Sequence, residues 1–266
     1  MPVLTSRDHP LIKQLIKLES SAAYRNKTGL TLLDGEHLLQ TYLAHIGVPT
    51  HVIVSESYAE SALDALFHRN KLPKISIVSD ALLRAVAPVK TPTGILALIE
   101  KPKESQNQGA GDFCALLEDI QDPGNLGSIL RSAAAAGISD VYLSKHCADA
   151  WSPKTLRAAM GAHFFVHLHE DCHLPQVARQ FQGKVVATSL QATQSLFAIS
   201  LTGAVVFVFG NEGSGLSHEL IQATNVRISI PMPGKTESLN AAAAAAICFF
   251  EKVRQDYVAS EYPIGT

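Results

Sequence analysis

The chain has 266 residues, a hydrophobic fraction of 47% and a formal net charge of −2 at pH 7. That length and apolar content allow one large domain or two ordinary ones with a sizeable core, and the charge excludes a uniformly basic nucleic-acid coat while leaving room for a local patch. The N-terminus lacks a basic start followed by an apolar block, and no apolar stretch approaches the roughly 20 residues of a bilayer span, so a soluble, cytoplasmic protein with no membrane partner is expected.

Residues 1–100 alternate helical patterns at 11–18, 36–45, 59–68 and 80–86 with β-branched runs at 52–54, 75–78 and 94–99, which predicts a small α/β domain. Residues 101–111 lack apolar periodicity and are rich in Gly, Gln and Pro, the composition of a linker. In residues 112–266, strands are expected at 113–120, 141–144, 164–168, 185–189, 205–209 and 226–230, and helices at 126–136, 153–160, 174–181, 218–223 and 239–256. Continuous apolar strands separated by helices predict a parallel sheet covered on both faces.

Three polar, Gly/Pro-rich segments sit at the edges of these apolar runs. The first is Asp122-Pro-Gly-Asn-Leu-Gly-Ser-Ile-Leu-Arg131. Asn125 is read as the N-cap of a helix whose second turn carries Arg131, with Gly137 as its C′ residue. The second, Gly210-Asn-Glu-Gly-Ser-Gly215, follows an apolar strand. It fits neither a dinucleotide fingerprint nor a P-loop, which argues against a nucleotide-dependent oxidoreductase. Its glycines would let a ligand approach the backbone while Glu212 supplies a carboxylate. The third, Ile230-Pro-Met-Pro-Gly-Lys-Thr-Glu-Ser-Leu-Asn240, leads into six consecutive alanines, Ala241 to Ala246. Ser238 is expected to cap that helix with Asn240 in its first turn, and the alanines make it slim enough to lie close against another segment. Loops at strand edges of an α/β sheet converge on one crevice, so a single composite site is expected.

Together, Asn125 with Arg131, Gly210-Asn-Glu212 with Gly215, and Ile230-Pro-Met232 with Ser238-Leu-Asn240 resemble, in order and spacing, the three motifs of the SpoU/TrmH class of SPOUT RNA ribose methyltransferases. Asp8-His-Pro-Leu-Ile12, Leu33-Asp-Gly-Glu-His-Leu38 and Pro92-Thr-Gly-Ile-Leu96 are similar to that family's L30e-like substrate-binding domain. The resemblance implies a substrate-binding domain at 1–100, a linker at 101–111 and a methyltransferase domain at 112–266. It also implies a deep trefoil knot at the C-terminus, which fold statistics would disfavour, and a homodimer with part of the active site supplied across the interface. S-adenosylmethionine would lie against Gly210, Asn211, Gly215, Ile230, Met232 and Leu239, with Thr188-Ser189-Leu190 as a further wall. The family carries Val and Ser after its Ser-Leu-Asn, where this chain has only alanine. The implied reaction is methylation of a ribose 2′-hydroxyl in structured RNA, 23S ribosomal RNA before transfer RNA. Arg131 would stabilise the developing alkoxide, Glu212 would orient Arg131 or Asn125, and Asn125, Ser238 and Asn240 would hold the ribose, phosphate or loop.

Residues 1–104 hold 12 Lys/Arg against 10 Asp/Glu, and the remainder 10 against 14, so RNA should first meet the N-terminal part. Arg7, Lys13, Lys17, Arg25 and Lys27, with Tyr24 among them, are the candidate contacts there, and Arg157 is a further one. Four scattered cysteines without CxxC spacing read as reduced thiols. His163, His167, His169 and His173 show no zinc-site spacing, so no metal is expected. The competing reading is a non-catalytic RNA-binding or ribosome-assembly protein that retains the fold.

Overall fold

The structure, a computed structural model, describes residues 2–59, 73–87, 92–102, 111–189, 192–211 and 213–261. Chain compactness divides it into two units, residues 1–103 with 149–164 and residues 104–148 with 165–266.

The first unit starts with β1 (Val3–Leu4), α1 (Pro10–Ser20) and α2 (Ala22–Thr28). His9 caps α1 and Ser21 caps α2, each accepting a bond from a first-turn amide, and Pro10 stands at N1 of α1. There follow β2 (Leu30–Asp34), α3 (Glu36–His45), β3 (His51–Ser55), β4 (Lys74–Val78), α4 (Asp80–Val86) and β5 (Ile95–Glu100). The sheet order is β1-β4-β3-β5-β2, with β1, β4 and β3 parallel and β5 antiparallel to both neighbours. Leu11, Ile12, Leu15 and Leu18 share one side of α1 and pack on Leu32, Ile53, Leu96 and Leu98 of the sheet. Sequence periodicity missed β1, β2 and α2, and the helix expected at 59–68 lies outside the described residues from residue 60. Gly94 is fixed by sterics: it has φ +101, and a Cβ there would stand 2.9 Å from Tyr58 Cβ.

The second unit runs β6 (Phe113–Leu117), α5 (Pro123–Ala135), β7 (Asp140–Leu143), β8 (His167–His169), α7 (Leu174–Gln180), β9 (Lys184–Thr188), β10 (Val205–Phe209), α8 (His218–Gln222), β11 (Val226–Ile228) and α9 (Ala241–Glu261). Between β7 and β8 the chain makes α6 (Pro153–Ala159), which belongs to the first unit. Every strand pairing in this sheet is parallel, in the order β11-β9-β10-β6-β7-β8, so the expected parallel sheet is present. Strand order reverses between β6 and β10, the switch point outside which such sheets bind ligands. Among the described residues no helix is long and apolar enough to cross a membrane.

Two expectations differ here. Phe164 does not open a strand. Met160 and Gly161 turn the chain left-handed, a 3-10 turn follows at Ala162–Phe164, and Phe164 packs edge-on against Tyr42 with centroids 5.4 Å apart. The segment 149–164 also departs from a contiguous domain at 112–266, because its partners are in the first unit. Asp149 pairs with buried Arg25, the Trp151 carbonyl accepts from Thr31 at 2.6 Å, and Arg157 pairs with Asp34. Most of the expected linker, residues 103–110, lies outside the described residues.

Candidate active site

The site is built at the carboxyl ends of β6, β9, β10 and β11. After β6, Asp122 rather than Asn125 caps α5: its side chain accepts from the Asn125 amide at 2.8 Å, and Pro123 occupies N1. Asn125 therefore stands inside the first turn, and Arg131, the ninth residue of α5, is in the third turn rather than the second. Asn125, Ser128 and Arg131 follow one another at i+3 on the side away from buried Leu126, Ile129 and Leu130. Arg131 is exposed and its side chain makes no hydrogen bond or ion pair among the described residues. Gly137, at φ +81, ends α5 as expected; its amide bonds the Ala134 carbonyl and that of Ile138 bonds Ala133, a complete Schellman motif.

The third segment meets the first here. Asn240 Nδ2 donates to Asn125 Oδ1 at 2.9 Å. Asn240 Oδ1 also accepts from the amides of Ala242 and Ala243 at 2.9 and 3.3 Å, so Asn240, not the exposed Ser238, caps α9. The alanines that follow let α9 lie along α5 and over β10. Phe249, fully buried, holds the helix down through edge-on contacts with Phe207, Phe209 and Phe113 at centroid distances of 6.0, 5.5 and 6.2 Å.

The second segment is a closed turn. The Gly215 amide donates to the Asn211 carbonyl at 2.9 Å, and Asn211 Oδ1 accepts from Gly213 and Ser214 at 2.9 and 3.1 Å. A Cβ on Gly210 would lie 2.4 Å from the Gly215 carbonyl oxygen, so only glycine fits. Asn211 Nδ2 donates to the Asp119 carbonyl at 3.0 Å, and Glu118 accepts from both the amide and hydroxyl of Ser217 at 2.7 Å. Beside it, Thr188 Oγ1 donates to the Val208 carbonyl at 3.4 Å and the Ser189 amide to Ile228 at 2.8 Å. Ile230 and Met232 are half-buried, and Leu239 is more exposed. Glu212 and Leu190 lie outside the described residues. Asp119 and Ser144 are in this network and were missed by sequence reasoning. The Asp-Pro pair at 122–123 did carry the cap signal, since proline favours N1 behind an acidic cap.

Of the candidate RNA contacts, Arg7, Lys13 and Lys27 are exposed, Lys13 pairing with Asp8 at 2.9 Å. Lys17 stands over the Tyr24 ring at 5.6 Å. Arg25 is a correction: it is 4% exposed, and its guanidinium is consumed by Asp149 and the Leu18 and Glu19 carbonyls. Arg157 keeps an exposed edge although Asp34, fully buried, holds its Nη1. Among the described residues no cluster of three or more His, Cys, Asp or Glu is arranged to hold a metal ion. His163 bonds the Ala150 carbonyl and His169 the Asp140 carboxylate.

A parallel sheet with a switch point, roofed by strand-end loops that bind one another, defines an α/β enzyme with one composite site. The profile of the SpoU rRNA Methylase family matches residues 112–250, and that of the MRM3-like substrate binding domain matches residues 9–97. The chain is 34% identical over 263 residues to an uncharacterized tRNA/rRNA methyltransferase of Synechocystis sp., covering 97% of this chain and 95% of the relative. It is 32% identical over 254 residues to the 23S rRNA (guanosine(2553)-2′-O)-methyltransferase RlmP of Bacillus subtilis, covering 94% and 98%. The AdoMet-bound rRNA methyltransferase of Sinorhizobium meliloti superposes with a TM-score of 0.81 at 26% identity, covering 95% and 97%. The chain belongs to the SpoU rRNA Methylase family and is an S-adenosylmethionine-dependent RNA methyltransferase with a separate N-terminal substrate-binding domain.

The strand-end loops fit that cofactor. The backbone N–H and C=O groups of Gly210, Ile230 and Met232 bond no other group among the described residues, and all three residues are half-buried. Unspent backbone donors and acceptors beside small and apolar side chains suit a ligand that is part purine and part amino acid.

Proposed function

We propose that this enzyme methylates a ribose 2′-hydroxyl in ribosomal RNA, 23S before transfer RNA, in the cytoplasm and as a homodimer. The observation that carries the reading is the Asn240–Asn125 hydrogen bond, which joins the first and third loops on the helix that presents Arg131. S-adenosylmethionine supplies a methyl group on a sulfonium, electrophilic enough to be taken by an alkoxide. Gly210, Asn211, Gly215, Ile230, Met232 and Leu239, with Thr188, Ser189 and Leu190, would hold it.

The nucleophile must lose its proton as the O–C bond forms, so the site has to stabilise negative charge on the ribose oxygen. Arg131 serves as an electrostatic stabiliser, because a guanidinium keeps its charge and offers only donors, so it does not act as a base. Glu212 orients Arg131 or Asn125. Asn125 and Asn240 keep the loops in register, and Ser238 holds ribose or phosphate. Arg7, Lys13, Lys27 and the free edge of Arg157 contact RNA phosphates. The return of α9 from beyond edge strand β11 onto α5 and β10 supports a C-terminal knot, and the exposed Phe250 and Tyr257 of α9 support a dimer contact there. Mapping 2′-O-methyl sites in ribosomal and transfer RNA from a strain lacking the gene tests the function. Loss of a single 23S methyl, restored by the purified enzyme with S-adenosylmethionine, is expected; an unchanged map overturns it.

A further inference from the structure

We propose that Asp119 is a positioning residue that holds the glycine loop at 210–215 and thereby sets affinity for the methyl donor without touching it. The inference rests on the reading above that this loop borders the donor.

Asp119 stands two residues past β6 with φ +55, a left-handed conformation that Asp and Asn tolerate better than most residues. Ser144, just beyond β7, holds it there from two sides. The Asp119 amide donates to Ser144 Oγ at 2.9 Å, and that hydroxyl donates to Asp119 Oδ1 at 2.6 Å. With the backbone so turned, the Asp119 carbonyl accepts from Asn211 Nδ2 at 3.0 Å. The other end of the Asn211 amide gathers Gly213 and Ser214. One chain of bonds thus runs from β7 through Asp119 into the loop. Its neighbour Glu118 ties down Ser217 beyond the loop's far end, so two consecutive residues clamp both ends. Gly210 and Gly215 approach so closely that even a methyl group on Gly210 would strike the Gly215 carbonyl, so a shift at one is felt at the other. Releasing Asp119 therefore displaces the backbone groups at Gly210.

The test measures S-adenosylmethionine Kd by calorimetry, kcat and KM for RNA, and Tm on the full-length enzyme and on D119A, D119N, S144A and G210A. Losing the brace should raise the cofactor Kd about tenfold in D119A and about threefold in S144A, the scale of one hydrogen bond. D119N should stay within about twofold of the parent, because Asn accepts the same bond and tolerates the same φ. KM for RNA should not change. Parental cofactor binding in D119A and S144A overturns the proposal, as does a D119N no better than D119A. If D119A does not fold, S144A against D119N decides. G210A separates the two levels: unchanged cofactor binding there sinks the placement of the donor, whereas loss in G210A with none in D119A or S144A sinks the role of Asp119 alone.

Discussion

Two arginines that look alike in the sequence have opposite fates. Arg131 is exposed on α5 with no partner among the described residues, and Arg25 is sunk under Asp149. R131A should lower the single-turnover methylation rate by about 10² to 10³, the scale of one oriented donor at a developing oxyanion, with cofactor Kd unchanged by calorimetry. A near-parental rate would remove Arg131 from the chemistry. D149A should instead cost stability, because it strands a buried guanidinium: about 3–5 kcal/mol in urea unfolding, against a negligible effect of K27A on the surface. Arg131 was legible through the order and spacing of the three motifs that resemble the SpoU/TrmH class, not through any property of its own. Nothing local marks Arg25, whose burial depends on a carboxylate 124 positions away.

At the element level, most strands and the long helices were legible because their apolar periods are strong, β1 and β2 being the strands missed, and the Gly137 stop followed from the left-handed turn only glycine takes cheaply. Caps were legible only in part. Asp122, followed by Pro123, carried a cap signal that Asn125 did not, whereas Ser238 and Asn240 are both competent cap residues, and the choice between them goes with a tertiary contact, the Asn125–Asn240 bond. The short segment around α6 carries a pH dependence. Burial pushes the His163 imidazole down to about 4, so the folded chain refuses a proton that the unfolded one takes up below its ordinary pKa of about 6.5. The His163 contribution should be lost as pH is lowered from about 6.5 towards 4, with a slope approaching 1.4 kcal/mol per pH unit, and only that contribution levels off below. Urea midpoints across that window should show a shallower slope for H163Q, with His51, also lowered by burial, contributing to the slope that remains. Equal slopes would contradict the burial of His163.

For the whole molecule, composition and linker chemistry indicated two bodies but not where residues 149–164 would fold. That segment sits between two strands of the parallel sheet, and its own pattern is that of an ordinary crossover helix. Contacts such as Arg25–Asp149, Thr31–Trp151, Asp34–Arg157 and Tyr42–Phe164 assign it to the first unit. A fragment spanning 112–266 should therefore be poorly behaved. Without residues 1–100, Trp151, Leu156 and Ala159, all buried in the full chain, lose their packing partners, and an exposed apolar patch follows. Dye binding and Tm of the fragment against the full chain would check this; a fragment as stable as the parent and free of dye would contradict the packing.

The same segment limits how the gene can be recombined. A chimera that exchanges the first hundred codons for another RNA-reading module would bring in foreign partners for Asp149, Trp151 and Arg157 while keeping their old sequence. A working graft would have to move two separated stretches of coding sequence together, so changes at 25, 31 and 34 are expected to be inherited jointly with changes at 149–157.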